Sequence, residues 1–217
     1  MVSFHIITLF PESFDSYINS SILKRAQAAG HIAIKRYNLR EFADNKWNKI
    51  DDRPYGGGPG MVIYAQPVIR AVESIRSQVP SAKCRVVFFA PGGKQFTNTV
   101  AKSWVKKYTD IIFVCGHYEG IDARARKILR AEEYSIGPYV LTGGELPTLV
   151  VIDAISRQVE GVLGNELSVE EKRISSAQMY TRPDVFEYKG RKYRVPKVLL
   201  SGDHKKIDEW KKSTRNK

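Results

Sequence analysis

Short, dense apolar runs alternate along this chain with longer stretches of helical spacing, and that alternation predicts an α/β protein. Val2 to Phe10 is mostly apolar and β-prone and reads as a first strand. Pro11 and Glu12 suit a helix's first turn, and the segment to Ala29 reads as one or two helices stopped by Gly30. His31 to Tyr37 alternates as a second strand, and Gln66 to Ser77 has helical spacing. Arg85 to Ala90 and Ile111 to Cys115 have the composition of strands buried on both faces, the first broken by Pro91-Gly92-Gly93. Thr97 to Lys107 is a helix with Thr97 or Asn98 as its cap. Ala123 to Arg130 is helical, and Glu133 and Tyr134 start a short strand. Leu146 to Arg157 is a strongly apolar helix with single outward charges at Asp153 and Arg157. Strands and helices in this order imply a parallel sheet with helices on both faces.

The interruptions carry the chemistry. Tyr134 to Pro147 holds three glycines and two prolines beside Ile136, Val140 and Leu141. Gly137-Pro138 and Gly143-Gly144 force two close bends, which leaves an apolar wall and exposed main-chain groups between them. Such a loop suits a flat ligand held by backbone hydrogen bonds. It also suits a plain surface connection from a strand to the next helix. Ala90 to Lys94, Gly116 to Gly120 and Ser135 to Glu145 all follow the carboxyl ends of predicted parallel strands, where ligands of open α/β sheets bind. No G-x-G-x-x-G opens a helix, and Gly92-Gly93-Lys94 lacks the earlier glycine and following hydroxyl of a phosphate loop. A dinucleotide and a nucleoside triphosphate are therefore disfavoured. A polar stretch from Arg40 to Arg53 runs into Tyr55-Gly56-Gly57-Gly58-Pro59-Gly60-Met61, and a loop this long is functional or disordered. Linkers rarely embed residues such as Trp47, Tyr55 and Met61, which favours a functional loop over a flexible connection.

Charge narrows the partners. The 217 residues include 35 Lys and Arg against 23 Asp and Glu, a net charge of +12, which attracts a polyanion or an anionic membrane. No apolar run approaches the roughly 20 residues of a membrane span, and the first residues lack the features of a signal peptide. Cys84 and Cys115 adjoin strand-like runs and read as small buried hydrophobes, which fits a reducing cytoplasm. After Gly164 the composition shifts. Asn165 to Met179 is a charged linker, and Tyr180 to Pro183 and Val195 to Gly202 read as extended segments. Asp203 caps a final helix with Trp210 on its apolar side and Lys205, Lys206, Lys211 and Lys212 elsewhere, either a solvated tail or a contact to a phosphate backbone.

Four motifs recur together in one known family. Tyr55-Gly56-Gly57-Gly58-Pro59-Gly60-Met61, Cys115-Gly116-x-Tyr118-Glu119-Gly120-Ile121-Asp122, Ser135-Ile136-Gly137-x-Tyr139-Val140-Leu141-x-Gly143-Gly144-Glu145-Leu146-Pro147 and Tyr180-Thr181-Arg182-Pro183 resemble the bacterial tRNA (guanine-37-N1)-methyltransferases of the SPOUT class. The resemblance runs from the first strand to about Trp210. It implies a deep trefoil knot in the α/β domain and a small helical carboxyl-terminal extension. It divides the chain into a methyl-donor domain over 1–160, a linker over the active site at 161–179 and a shortened tRNA-binding domain at 180–217. It implies transfer of a methyl group from S-adenosylmethionine, released as S-adenosylhomocysteine, to N1 of guanine-37 in tRNA, with room for Mg2+ arriving with the substrate. It further implies a cytoplasmic homodimer, away from any membrane, whose sites are built from both chains.

Residue by residue, the family's donor pocket falls on Pro91, Gly116, Tyr118, Glu119, Ser135, Ile136, Gly137, Tyr139, Leu141, Gly143, Gly144 and Pro147. Its catalytic arginine falls on Arg157. Asp51 and Arg53 match residues at the guanine next to the target. Gly60 and Arg182 join them as RNA-facing positions, with Lys205, Lys206, Lys211 and Lys212 as phosphate contacts. The departures lie elsewhere. Lys172 stands where the family has its general-base aspartate, and a protonated lysine cannot accept the N1 proton, so Glu171, ahead of Glu170, takes that role here. Trp47 replaces a histidine, His117 an arginine and Pro138 an aspartate, and the chain stops soon after Trp210, short of helices the family has. Two other readings stay open: a SPOUT methyltransferase acting at another RNA position, and an RNA-binding module that keeps the pocket without chemistry.

Overall fold

The computed structural model describes residues 1–79, 81–164 and 178–215, which fall into two compact units, Met1–Leu163 and Gly164–Lys217. The strands of the first unit are β1 (Val2–Thr8), β2 (Ile32–Asn38), β3 (Asp51–Asp52), β4 (Val62–Ile63), β5 (Cys84–Gln95), β6 (Asp110–Val114) and β7 (Glu132–Ser135). Its helices are α1 (Asp15–Ile18), α2 (Ser21–Ala28), α3 (Ala65–Arg76), α4 (Asn98–Lys107), α5 (Ala123–Leu129) and α6 (Glu145–Ser156). Five strands form one sheet in the order β2-β1-β6-β5-β7, every pair parallel, and β3 and β4 make a separate antiparallel ribbon.

Strand alternation divides the core into two layers. Ile111 and Phe113 of β6 point with Phe4, Ile6 and Val87 toward Ile18, Leu23, Trp104, Val151, Ile152 and Ile155 of α1, α2, α4 and α6. Ile112 and Val114 point the other way with Ile7, Val86 and Phe88, toward Val68, Val72 and Ile75 of α3 and Ala125 and Leu129 of α5. All five residues of β6 are buried because this central strand is covered on both faces, which is why it lacks a polar alternation. Thr97 is the cap of α4, its Oγ1 accepting from Val100 N (3.4 Å).

One polar chain crosses the sheet. Burial pushes the His5 imidazole below its ordinary pKa, so the ring is neutral and has one donor. That donor, Nε2, serves Asp110 Oδ1 (3.0 Å), and Nδ1 accepts from Tyr37 OH (3.1 Å).

The sequence reading ends the third predicted strand at Ala90, but β5 continues to Gln95. It pairs with β7 through Phe89, loses register over 90–93, and regains it where Lys94 meets Tyr134 and Gln95 meets Ser135. Pro91 has no donor for a ladder, so the four residues leave the sheet as a bulge instead of ending it.

The second unit contains β8 (Val185–Tyr188), β9 (Arg191–Arg194), α7 (Lys197–Leu200) and α8 (His204–Arg215). β8 and β9 form an antiparallel hairpin, so this part is not only helical. Val195 to Gly202, expected to be extended, contains the short helix α7 after Pro196. Asp203 Oδ1 accepts from Lys206 N (3.2 Å) at the start of α8, and Trp210 turns toward Tyr180 with ring centroids 6.2 Å apart. Among the described residues no helix is long and apolar enough to cross a membrane.

Candidate functional site

A cavity of about 410 Å³ opens where β5 leaves the sheet at its bulge and at the carboxyl ends of β6 and β7. Its walls are the end of β5 with the start of the bulge (88–91), the loop after β6 (116–121) and the loop after β7 as far as Gly144, with Pro147 from α6. The three loops expected to converge do so.

Local chemistry fixes each wall. After β7, Ser135 is buried; its Oγ donates to Gly137 O (2.9 Å) and accepts from Gly137 N (3.2 Å), which closes the first bend. Tyr139 OH donates to Ile136 O (3.2 Å), leaving Tyr139, Val140 and Leu141 exposed at the mouth. The second bend seats the start of α6 on the end of β6. Gly144 N donates to Gly116 O (2.9 Å), and a Cβ at Gly144 would lie 2.6 Å from Cys115 Cα, so no side chain fits there. Burial pushes the Cys115 thiol pKa up, and Thr148, which donates its hydroxyl to Gly144 O (2.8 Å), accepts from that thiol at 3.2 Å. Cys115 is thus a structural residue, as its setting in the sequence suggests.

The loop after β6 is strained and tethered. Tyr118 has φ +57°, a conformation that costs a non-glycine residue about 1–3 kcal/mol and persists where its surroundings enforce it. Glu119 N donates to Met61 O (3.0 Å), Ile63 N to Gly120 O (2.9 Å) and Asp122 N to Ile63 O (2.9 Å). On the other side His117 bridges to Gly143. Glu145, in the first turn of α6, accepts from Thr8 Oγ1 (2.8 Å) and places its other oxygen 4.0 Å from His117 Nδ1. Residues of β1, the middle loop and α6 therefore meet at Glu145. Nothing in the sequence reading singled out this brace, although an acidic residue beside Gly-Gly at a helix start was the available signal.

The lining is mostly apolar with main-chain donors and acceptors, and its charged side chains are few. Arg126 Nη1 pairs with Glu133 Oε2 (2.9 Å), while among the described residues no cation pairs with Glu119. Such a pocket suits a flat, partly apolar ligand carrying positive charge better than a polyphosphate.

All twelve residues expected to hold the donor line this cavity. Arg157 does not. It caps the carboxyl end of α6, a helix of 12 residues and so about 18 Å long, whose other end meets the pocket. Asp51 lies on β3 with Arg53 just beyond it, and Gly60 lies against the Glu119 side chain. Trp47 is exposed, with Lys46 Nζ 4.8 Å from its ring centroid, and His117 packs edge-on against Phe10 and Tyr118, both at 5.1 Å. Arg182, Lys205, Lys206 and Lys212 are exposed in the second unit; Lys211 is half-buried. Lys206 pairs with Asp203 (3.1 Å) and Lys211 with Asp208 (3.7 Å). Glu170, Glu171 and Lys172 lie outside the described residues.

Comparison with known proteins agrees with this geometry. The family described as tRNA (Guanine-1)-methyltransferase TrmD matches residues 2–217. The chain belongs to this family. Like it, the tRNA (guanine-N(1)-)-methyltransferase of Clostridioides difficile (strain 630) is 48% identical over 213 residues, 96% of this chain and 90% of the relative. The protein of that name from Carboxydothermus hydrogenoformans is 47% identical over 211 residues, covering 95% and 80%. That from Bacillus subtilis (strain 168) is 46% identical over 209 residues, covering 94% and 84%.

Proposed function

We propose that this chain is a tRNA (guanine-N1)-methyltransferase that takes its methyl group from S-adenosylmethionine and places it on N1 of guanine-37, 3′ of the anticodon. The observation that carries the reading is the cavity itself, lined by the twelve residues expected to hold the donor, in a chain whose relatives are named tRNA (guanine-N(1)-)-methyltransferase.

The residues present fit such a donor. Main-chain groups of the bends at Gly137 and Gly143-Gly144 face a flat base, Ile136 and Leu141 supply apolar contact, and Glu119 supplies negative charge toward a cationic ligand. When bound, the donor supplies an electrophilic methyl group on a sulfonium. The chain's part is to orient guanine and manage its proton. Removing the N1 proton pushes negative charge onto O6, which the guanidinium of Arg157 stabilises. The carboxyl of Glu171 takes the proton, a task neither Arg157 nor a charged Lys172 can perform. Asp51 and Arg53 read the neighbouring guanine, Gly60 and Arg182 lie along the RNA, and Lys205, Lys206, Lys211 and Lys212 hold phosphates.

Two further parts of the reading follow. Arg157 is a helix length from its own cavity, so it serves the cavity of a second copy, and the sites of a homodimer are shared. The exposed Leu146 (58%) and Val150 (49%), one turn apart on α6, form the apolar stripe that a partner would cover. The chain also passes through itself in a trefoil knot at the three loops, in keeping with the seat of Gly144 on Cys115. Mg2+, where present, arrives with the RNA substrate, and no step is assigned to it.

Incubation with unmodified tRNA transcripts and labelled donor, followed by mapping of the methyl group, tests the proposal. A methyl on N1 of guanine-37 is expected, and none on a transcript with that guanine replaced. A methyl elsewhere would favour action at another RNA position; RNA binding without transfer would favour a binding module.

A further inference from the structure

The β8–β9 hairpin carries an aromatic face that none of these roles uses. Its cross-strand pairs Phe186–Tyr193 and Tyr188–Arg191 put these four side chains on one face, and Val185–Arg194 and Glu187–Lys192 occupy the other. All three rings are open to solvent: Phe186 is 57% exposed, Tyr188 54% and Tyr193 53%. The connecting residues Lys189 (φ +47°) and Gly190 (φ +72°) make a tight turn of the kind that matches strand twist, so the rings share a fixed platform. Hairpins of two strands are marginal unless something covers their apolar face. Three exposed rings on one side call for a ligand.

Charge says which one. Between Val185 and Arg194 four cationic side chains stand against one acid, Glu187. Lys189 Nζ is 5.4 Å from the Tyr188 ring centroid, and Arg191 shares the aromatic face. Rings offering their π-faces among cations are the chemistry that binds unpaired nucleotides, bases stacking on rings while phosphates meet the cations. An acidic protein would satisfy the cations and leave the rings idle; a base-paired helix hides the base faces the rings need. We propose that the Phe186–Tyr188–Tyr193 face is a stacking platform for unpaired nucleotides of the RNA substrate. This rests on the reading of the chain as a tRNA enzyme and adds a contact to it.

The test uses the full chain and fluorescence anisotropy with three probes: a tRNA transcript, a short single-stranded oligoribonucleotide and a blunt RNA duplex. Tyr188→Ala and Tyr193→Ala are expected to weaken binding of the single strand and the tRNA by roughly fivefold or more each, and of the duplex little. The slope of log affinity against log salt should survive those changes and fall with Arg191→Gln. Tyr188→Phe should bind as wild type and Tyr188→Leu should not, a comparison that decides the matter even where the alanine variants fold poorly. Ring variants that bind the single strand as tightly as wild type would overturn the platform. So would a leucine that serves as well as phenylalanine, since the face would then pack against protein, for example a second copy. Methyl transfer by the wild type is read in parallel. Transfer with unaffected ring variants refutes the platform alone, and absence of transfer with the stacking pattern intact refutes the enzymatic reading alone.

Discussion

Replacing Gly144 by alanine tests whether the start of α6 must sit hard against β6. Its φ of −83° is ordinary for alanine, so the substitution acts through space and not through backbone strain. The added Cβ would lie 2.6 Å from Cys115 Cα and 3.0 Å from Gly116 N. Both are backbone atoms in a buried strand end and cannot swing aside. Restoring ordinary contact takes a shift of about 0.8 Å between α6 and the end of β6. A shift of that size stretches the 2.9 Å bond from Gly144 N to Gly116 O and disturbs Thr148, which donates to Gly144 O. Overpacking of this kind costs about 1–3 kcal/mol, and a lost buried hydrogen bond about as much again. For a domain of this size 2 kcal/mol lowers Tm by roughly 4–8 °C. The cavity wall moves with the helix, so affinity for S-adenosylhomocysteine should fall at least tenfold. Calorimetry and thermal unfolding read both effects. Gly92→Ala is the control: it lies in the adjacent bulge with nothing within 4 Å of its Cβ position, and should change neither. If Gly144→Ala binds and melts as wild type, the close seat is not needed and the account of the pocket floor is wrong.

Four further outcomes follow. Arg157→Ala should lower single-turnover methylation by roughly 10²–10³-fold and Glu171→Gln by roughly a hundredfold, both with donor affinity intact by calorimetry; wild-type rates would remove these roles. Val150→Glu puts a charge in the apolar stripe of α6 and should give a monomer in sedimentation that has lost methyl transfer, whereas an unchanged dimer would take α6 out of the interface. Exchanging Lys205, Lys206, Lys211 and Lys212 for glutamine should weaken RNA binding and flatten its salt dependence; no change would leave α8 a solvated tail. Because His5 titrates lower when folded, the unfolded chain binds more protons, so stability is full above about pH 6.5 and falls on acidification, by at most about 1.4 kcal/mol per pH unit. His5→Gln should reduce the fall in Tm between pH 7 and 5, and equal slopes would show that His5 is not responsible.

The centre of the sheet was legible because its strands are buried on both faces: 86–88 and 111–114 are apolar at every position. Its edges were not. Whether β5 ends at Ala90 or resumes at Lys94 depends on Tyr134 and Ser135 across the sheet, which no local pattern of β5 encodes. The hairpin of the second unit did leave a signal, alternating Phe186 and Tyr188 before Lys189-Gly190, but its opposite face is charged and no core gave that alternation a direction. In the site, glycine bends marked the walls because close backbone approach excludes side chains. The contacts of Glu145 could not be read because its partners Thr8 and His117 come from distant parts of the chain.

The ties between the loop after β6 and the β3–β4 ribbon have a consequence for how two sites answer each other. Glu119 to Asp122 are hydrogen-bonded to Met61 and Ile63, and Gly60 rests on the Glu119 side chain, so a ligand that steadies one loop steadies the other. The first faces the donor cavity and the second carries the positions proposed to read RNA. Coupling of this kind is reciprocal: by whatever factor the donor raises affinity for tRNA, tRNA raises affinity for the donor. Cutting these few hydrogen bonds would leave two sites that no longer register each other's occupancy.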